Sequence, residues 1–223
     1  MGGIMMRKDL TELVFILDRS GSMSGLENDT IGGFNSMILK QKKEPGNAFV
    51  TTVLFDHDCE LLHDRINLKN IELMTKHDYY VRGSTALLDA IGKSIKKMIH
   101  TQKRANENTK AKHVMFVIIT DGMENSSMAY GYEKIRQMIE HQKSHYNWEF
   151  IFLGANMDAI STAERFGIQR DRAVNFNADH EGTILNYEVI SDTISHKRAS
   201  VQLDESWKAK IEDDFKKRSK FKQ

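Results

Sequence analysis

Two stretches, Leu13 to Leu17 and Val114 to Ile119, are apolar at every position, and each is followed within two residues by an aspartate, Asp18 and Asp121. Continuous rather than alternating apolarity suits a strand covered on both faces, the condition of a parallel sheet sandwiched between helices. An aspartate at the end of such a strand is awkward, because burying its charge costs several kcal/mol unless a partner meets it. The chain must therefore cover two sheet faces and supply something cationic at one end of the sheet.

The residues between and after these runs provide the covering layers. Ile31, Phe34 and Ile38 form a helical stripe that "KKEPGN" terminates, and residues 48–55 and 59–66 read as strands joined through "DHDC". Leu88, Ile91, Ile95 and Met98 recur at helical spacing after "RGSTALLDA", where Ser84 or Thr85 is the expected cap. A helix over 130–143, the strand "WEFIFLGA", a short helix over 158–166 and the strand "AVNF" continue the alternation. Residues 100–112 are the most loop-like stretch. Ile184, Tyr187, Ile190 and Ile194 predict one further helix, and Trp207, Ile211 and Phe215 another. The fold class is α/β: a doubly wound, Rossmann-like open sheet with helices on both faces, plus C-terminal helices. With 223 residues, 40% hydrophobic and 28% charged, and a single proline, the chain has the size and composition of one ordered α/β domain with an appendage.

In open α/β sheets ligands sit beyond the carboxyl ends of the strands, where strand order reverses. Asp18 and Asp121 belong there. Ser20 and Ser22 follow Asp18 at steps of two, so an extended loop would turn both hydroxyls the way Asp18 points. Thr85 adds a third hydroxyl at a helix start. Carboxylates and hydroxyls, all hard oxygens, describe a site for Mg²⁺, with Mn²⁺ and Ca²⁺ as alternatives.

These residues resemble the von Willebrand factor A domain and its metal-ion-dependent adhesion site. Asp18-Arg19-Ser20-Gly21-Ser22 is similar to the family's D-x-S-x-S loop, Gly83-Ser84-Thr85 to its threonine loop, and Thr120-Asp121-Gly122 to its T-D-G loop. The resemblance, which covers residues 11–178 and is nearest to the stand-alone intracellular A domains of bacteria and phages, implies a strand order 3-2-1-4-5-6 with one antiparallel edge strand. The third strand should be that edge, because only a short hairpin precedes it. Residues 1–178 would form the A-like domain, and residues 179–223 a helical extension packed on the same domain or on a partner. The resemblance further implies that Ser20 and Ser22 bind the metal directly and Thr85 directly or through water. Asp18 and Asp121 would mostly hold metal-bound waters, with Asp121 able to ligate in some states. An Asp or Glu of a partner protein would complete the shell.

Other features narrow the setting. A net charge of +1 argues against a whole-molecule field for nucleic acid or an anionic membrane. The apolar runs are far too short to span a bilayer. Cys59, the only cysteine, excludes an internal disulfide framework and reads as a half-buried strand residue in a reducing, cytoplasmic setting. Gly2 lacks the Ser or Thr at position 6 that myristoylation wants, since Met6 stands there. Asp56, His57, Asp58, Glu60 and His63 match no zinc spacing and read as a solvated hairpin tip. The basic stretch from Lys208 to Lys222 is interrupted by Glu212, Asp213 and Asp214, and reads as a docked amphipathic helix rather than a nucleic-acid arm. The expected function is a Mg²⁺-dependent protein-binding module and not an enzyme. Two alternatives stand beside it. A phosphohydrolase with an aspartyl nucleophile would want a second carboxylate where Ser20 stands, and a structural subunit would keep the metal only to stabilise its loops.

Overall fold

In the computed structural model, residues 10–106 and 109–219 are described. Gly2 and Met6 lie outside them. Strands β1 (Leu10–Asp18), β2 (Asn47–Phe55), β3 (Cys59–Asn67), β4 (His113–Thr120), β5 (Glu149–Gly154) and β6 (Ala173–Asn175) form one sheet in the order β3-β2-β1-β4-β5-β6. All neighbouring pairs are parallel except β2 and β3, so β3 is the antiparallel edge strand. The helices are α1 (Glu27–Lys43), α2 (Leu87–Arg104), α3 (Tyr132–Tyr146), α4 (Ala159–Arg165), α5 (His180–Arg198) and α6 (Ala209–Ser219).

Alternation along β1 sorts its side chains onto two faces. Leu13, Phe15 and Leu17 join a core closed by Phe34, Met37 and Ile38 of α1, and by Tyr187, Ile190 and Ile194 of α5. Val14 and Ile16 face the opposite core, closed by Leu88, Ile91 and Ile95 of α2 and by Ile135 and Ile139 of α3. With both faces covered, a central strand has no solvent side, which is why β1 and β4 carry no polar alternation. A Cβ on Gly33 of α1 would come within 2.3 Å of the Tyr187 ring, so glycine there is what lets α1 and α5 approach so closely.

The described residues after 178 pack on this same sheet. Tyr187, Ile190, Leu203, Trp207 and Ile211 belong to the α1-side core. Two details differ from the periodicity. Ile184 is partly exposed, whereas the neighbouring Thr183 and Asn186 are buried. Trp207 lies in a 3₁₀ turn, Glu205–Lys208, that precedes α6. Trp207 Nε1 donates to Asp171 O at 2.8 Å, and the buried Lys208 Nζ donates to Arg170 O and Ala173 O at 2.8 and 3.1 Å, tying the turn to the start of edge strand β6.

The hairpin tip is not simply solvated. Asp56 and His63 are buried, the first between arginines and the second against Thr52 and the Glu72 carbonyl. Cys59 opens β3 half-buried. The stretch from 100 to 104 is the last turn of α2 rather than loop.

Candidate metal centre

The strand order reverses between β1 and β4, and Leu17 registers with Ile119 in that parallel pair. Asp18 therefore ends β1 beside Thr120, and Asp121 follows directly on β4. Asp18 is buried; its Oδ1 accepts from Ser20 N at 2.7 Å and its Oδ2 from Thr120 Oγ1 at 2.5 Å. The Tyr79 hydroxyl donates to the Asp18 carbonyl. Burial pushes the Asp18 carboxyl up to about 6; the hydrogen bonds from Thr120 and Ser20 offset part of this, and the nearby Asp121 charge adds to it. Asp121 is likewise raised by burial, with the Ser22 hydroxyl pulling the other way.

The serines reach the site through a turn, not an extended loop. Ser20 is the N-cap residue of a 3₁₀ turn, Gly21–Met23, and its Oγ lies 3.0 Å from Ser22 Oγ. Ser20 is buried and Ser22 exposed. The step-of-two expectation therefore held for the meeting of the hydroxyls but not for the backbone that produces it.

Thr85 does not cap α2; the N-cap is Ala86, and no side chain of its own loop bonds the helix end. The orphan N–H groups of α2 are taken by residues after β4. Leu88 N donates to Glu124 Oε2 at 2.9 Å, and Asp89 N to Ser127 Oγ at 3.0 Å. Asp89 answers by accepting from Ala129 N and Tyr130 N, each at 3.0 Å. Asn125 grips Thr85 on both sides, accepting from Thr85 N at 2.9 Å and donating its own N–H to Thr85 O at 3.0 Å. The Thr85 hydroxyl is turned toward Gly122.

Gly122 marks where the oxygens converge. A Cβ built there would sit 2.9 Å from Ser22 Oγ, 2.9 Å from Thr85 Oγ1 and 3.5 Å from Ser20 Oγ. Beside this cradle Asp121 Oδ1 is buried with no hydrogen-bond partner. A cluster of hydroxyl oxygens next to two buried carboxylates, one with an orphaned oxygen, suits a hard divalent cation and would be costly without one. The structure thus brings together Asp18, Ser20, Ser22, Thr85 and Asp121, all five residues singled out from the sequence. Sequence reasoning placed Thr120 in the T-D-G loop without reading its bond to Asp18, and missed Tyr79, Glu124 and Asn125; all four act by holding those residues. Only the short distance of Thr120, Glu124 and Asn125 from Asp121 could have drawn attention to them.

By sequence, no protein-family profile and no curated protein matches the chain. By structure it is similar to a von Willebrand factor type A protein from Catenulispora acidiphila, with 12% identity over 82% of this chain and 42% of that one, TM-score 0.54. It is similar also to proximal thread matrix protein 1 from the mussel byssus, whose metal-ion-dependent adhesion site holds zinc (10% identity, 83% of this chain and 46% of that one, TM-score 0.56). A third likeness is to the pilus adhesin SpaC of Lactobacillus rhamnosus GG in an open conformation (10% identity, 84% and 30%, TM-score 0.62). The chain spans less than half the length of each. The fold is that of a von Willebrand factor A domain.

Proposed function

We propose that this von Willebrand factor A fold serves as a divalent-cation-dependent protein-binding module. Ser20, Ser22 and Thr85 hold the cation, and Asp18 and Asp121 balance its charge. The observation that carries this reading is the convergence of three hydroxyl oxygens beside Gly122, next to the orphaned Asp121 Oδ1. Once bound, a cation there would act as a Lewis acid toward a carboxylate from outside; Mg²⁺ is the assignment, with Mn²⁺ and Ca²⁺ as alternatives. Neutral hydroxyls among the nearest donors leave more of the positive charge for a partner's Asp or Glu than direct carboxylates would. Ser22 is exposed while Asp18, Ser20, Thr85 and Asp121 are buried, so the approach from solvent runs past Ser22.

The zinc-holding mussel protein and the pilus adhesin support a divalent ion and a binding role for this fold. A non-enzymatic role is supported by Ser20, which stands where an aspartyl phosphohydrolase would want a second carboxylate. A reducing, cytoplasmic setting is supported by the lone Cys59, whose thiol is pushed up by burial and so kept unreactive.

Titration with Mn²⁺ followed by electron paramagnetic resonance tests the site. One ion per chain is expected, and Asp121→Ala should lose it with the fold intact. Immobilised protein should then retain a partner in Mg²⁺ and release it in EDTA. Retention indifferent to chelator, or Mg²⁺-dependent hydrolysis of a phosphate monoester that vanishes in Asp18→Asn, would overturn the reading.

A further inference from the structure

The cradle is assembled from segments far apart in the chain: Ser20 and Ser22 follow Arg19, and Thr85 follows Arg82. Both arginines close on one carboxylate. Arg19 and Asp56 are wholly buried, and Arg19 Nε donates to Asp56 Oδ2 at 2.8 Å. Arg82 Nε donates to the same oxygen at 2.8 Å. The other oxygen of Asp56 accepts from Asp58 N at 2.8 Å and lies 3.0 Å from His57 Nδ1. Arg19 Nη1 reaches Glu60 Oε2 at 2.8 Å, and both guanidiniums lie over the Tyr80 ring, at 5.1 and 5.5 Å from its centroid. Backbone bonds follow the same path: Arg19 N to Phe55 O at 2.8 Å, Arg82 N to Arg19 O at 2.9 Å, Gly21 N to Gly83 O at 3.1 Å, and Ala86 N to Asp56 O at 2.7 Å.

None of these side chains offers an oxygen to the cradle, and stability gives no reason for them. The buried Arg19–Asp56 pair costs desolvation that well-packed apolar residues of similar volume would avoid, and the half-exposed Arg82, screened by solvent, adds little. What the three together do is geometric: they join the turn that bears Ser20 and Ser22 to the loop that bears Thr85. We propose that Asp56, bridging Arg19 and Arg82, is a positioning residue that sets the spacing of the cradle hydroxyls before a cation arrives. This rests on the cation-binding reading above. The hydroxyls come from two separate loops, and a site whose loops are tied together in advance spends no binding energy on gathering them.

Arg82 is the informative position to alter. Its side chain is 41% exposed, and its loss leaves Asp56 still bonded to Arg19 and Asp58. Arg82→Ala should therefore keep its melting temperature near wild type while Mn²⁺ affinity falls about 10- to 100-fold. Arg82→Lys should recover part of that loss, since an ammonium restores the charge on Asp56 but not the planar contact with Tyr80. Arg136→Ala, which breaks an exposed ion pair with Glu140 on α3, should bind Mn²⁺ as wild type does. Wild-type Mn²⁺ affinity in Arg82→Ala overturns the proposal. So does a loss of affinity that comes with a matching loss of melting temperature and no recovery in Arg82→Lys. Absence of Mn²⁺ binding in the wild type would remove the cation reading itself and this proposal with it.

Discussion

Asp18 carries a charge that the metal-free protein pays to bury. Its carboxyl titrates near 6 in the folded chain against 3.8 unfolded, so between those values the folded state keeps a proton that the unfolded state has released. The sign follows: this group's contribution to stability falls as pH rises from about 4 to about 6, by about 3 kcal/mol when complete. Denaturant titrations of chelated protein should show that fall, and Asp18→Asn should flatten it. A cation that pairs with the carboxylate reverses the penalty, so Mg²⁺ should raise the melting temperature more at pH 7 than at pH 5. Gly122 offers a test of shape instead of charge. In Gly122→Ala the new methyl would stand 2.9 Å from both Ser22 Oγ and Thr85 Oγ1, inside the cradle. Mn²⁺ binding should be lost while far-ultraviolet circular dichroism is unchanged.

At the scale of elements, helix ends as well as helix faces depend on distant residues. The end of α1 and the turn after it are met from α5: Arg198 Nη1 donates to Gln41 O at 2.8 Å, and Nη2 to Pro45 O and Gly46 O at 3.0 and 3.2 Å. Arg198→Ala would remove the buried bonds to Gln41 and the part-buried ones to Pro45 and Gly46, at a cost of roughly 1–3 kcal/mol readable in urea unfolding. The α2 start is held in the same manner by Glu124 and Ser127. Edge strand β6 is short, and the turn before α6 covers it through Trp207 and Lys208. Trp207→Ala should destabilise by about 3–5 kcal/mol, because its ring closes the α1-side core. Deleting residues 200–223 should lower the melting temperature at least as far.

In the whole molecule, β1 and β4 lie at the centre, covered on both faces, and their carboxyl ends carry the site. Their amides should be the slowest to exchange with deuterium, while edge strand β3, mostly exposed or half-buried, exchanges earlier; equal protection of the two would contradict this layering. Much of this was legible from residue order. Continuous apolar runs specify covered strands, helical stripes specify covering helices, and D-x-S-x-S, G-S-T and T-D-G carry their chemistry at short spacing where neighbours in sequence remain neighbours in space. What only the tertiary structure decided is how those pieces are held. Arg19 and Asp56 are 37 residues apart and Arg82 and Asp56 26 apart, and read along the chain each is a charged loop residue expected in water. Ser84 and Thr85 had the composition of a cap, yet Glu124, 36 residues beyond Leu88, serves the α2 end. Local propensity is set by a residue and its near neighbours. Burial of a charge, and the partner that makes burial tolerable, are set by whichever segments the sheet brings together, and no short-range pattern encodes that meeting.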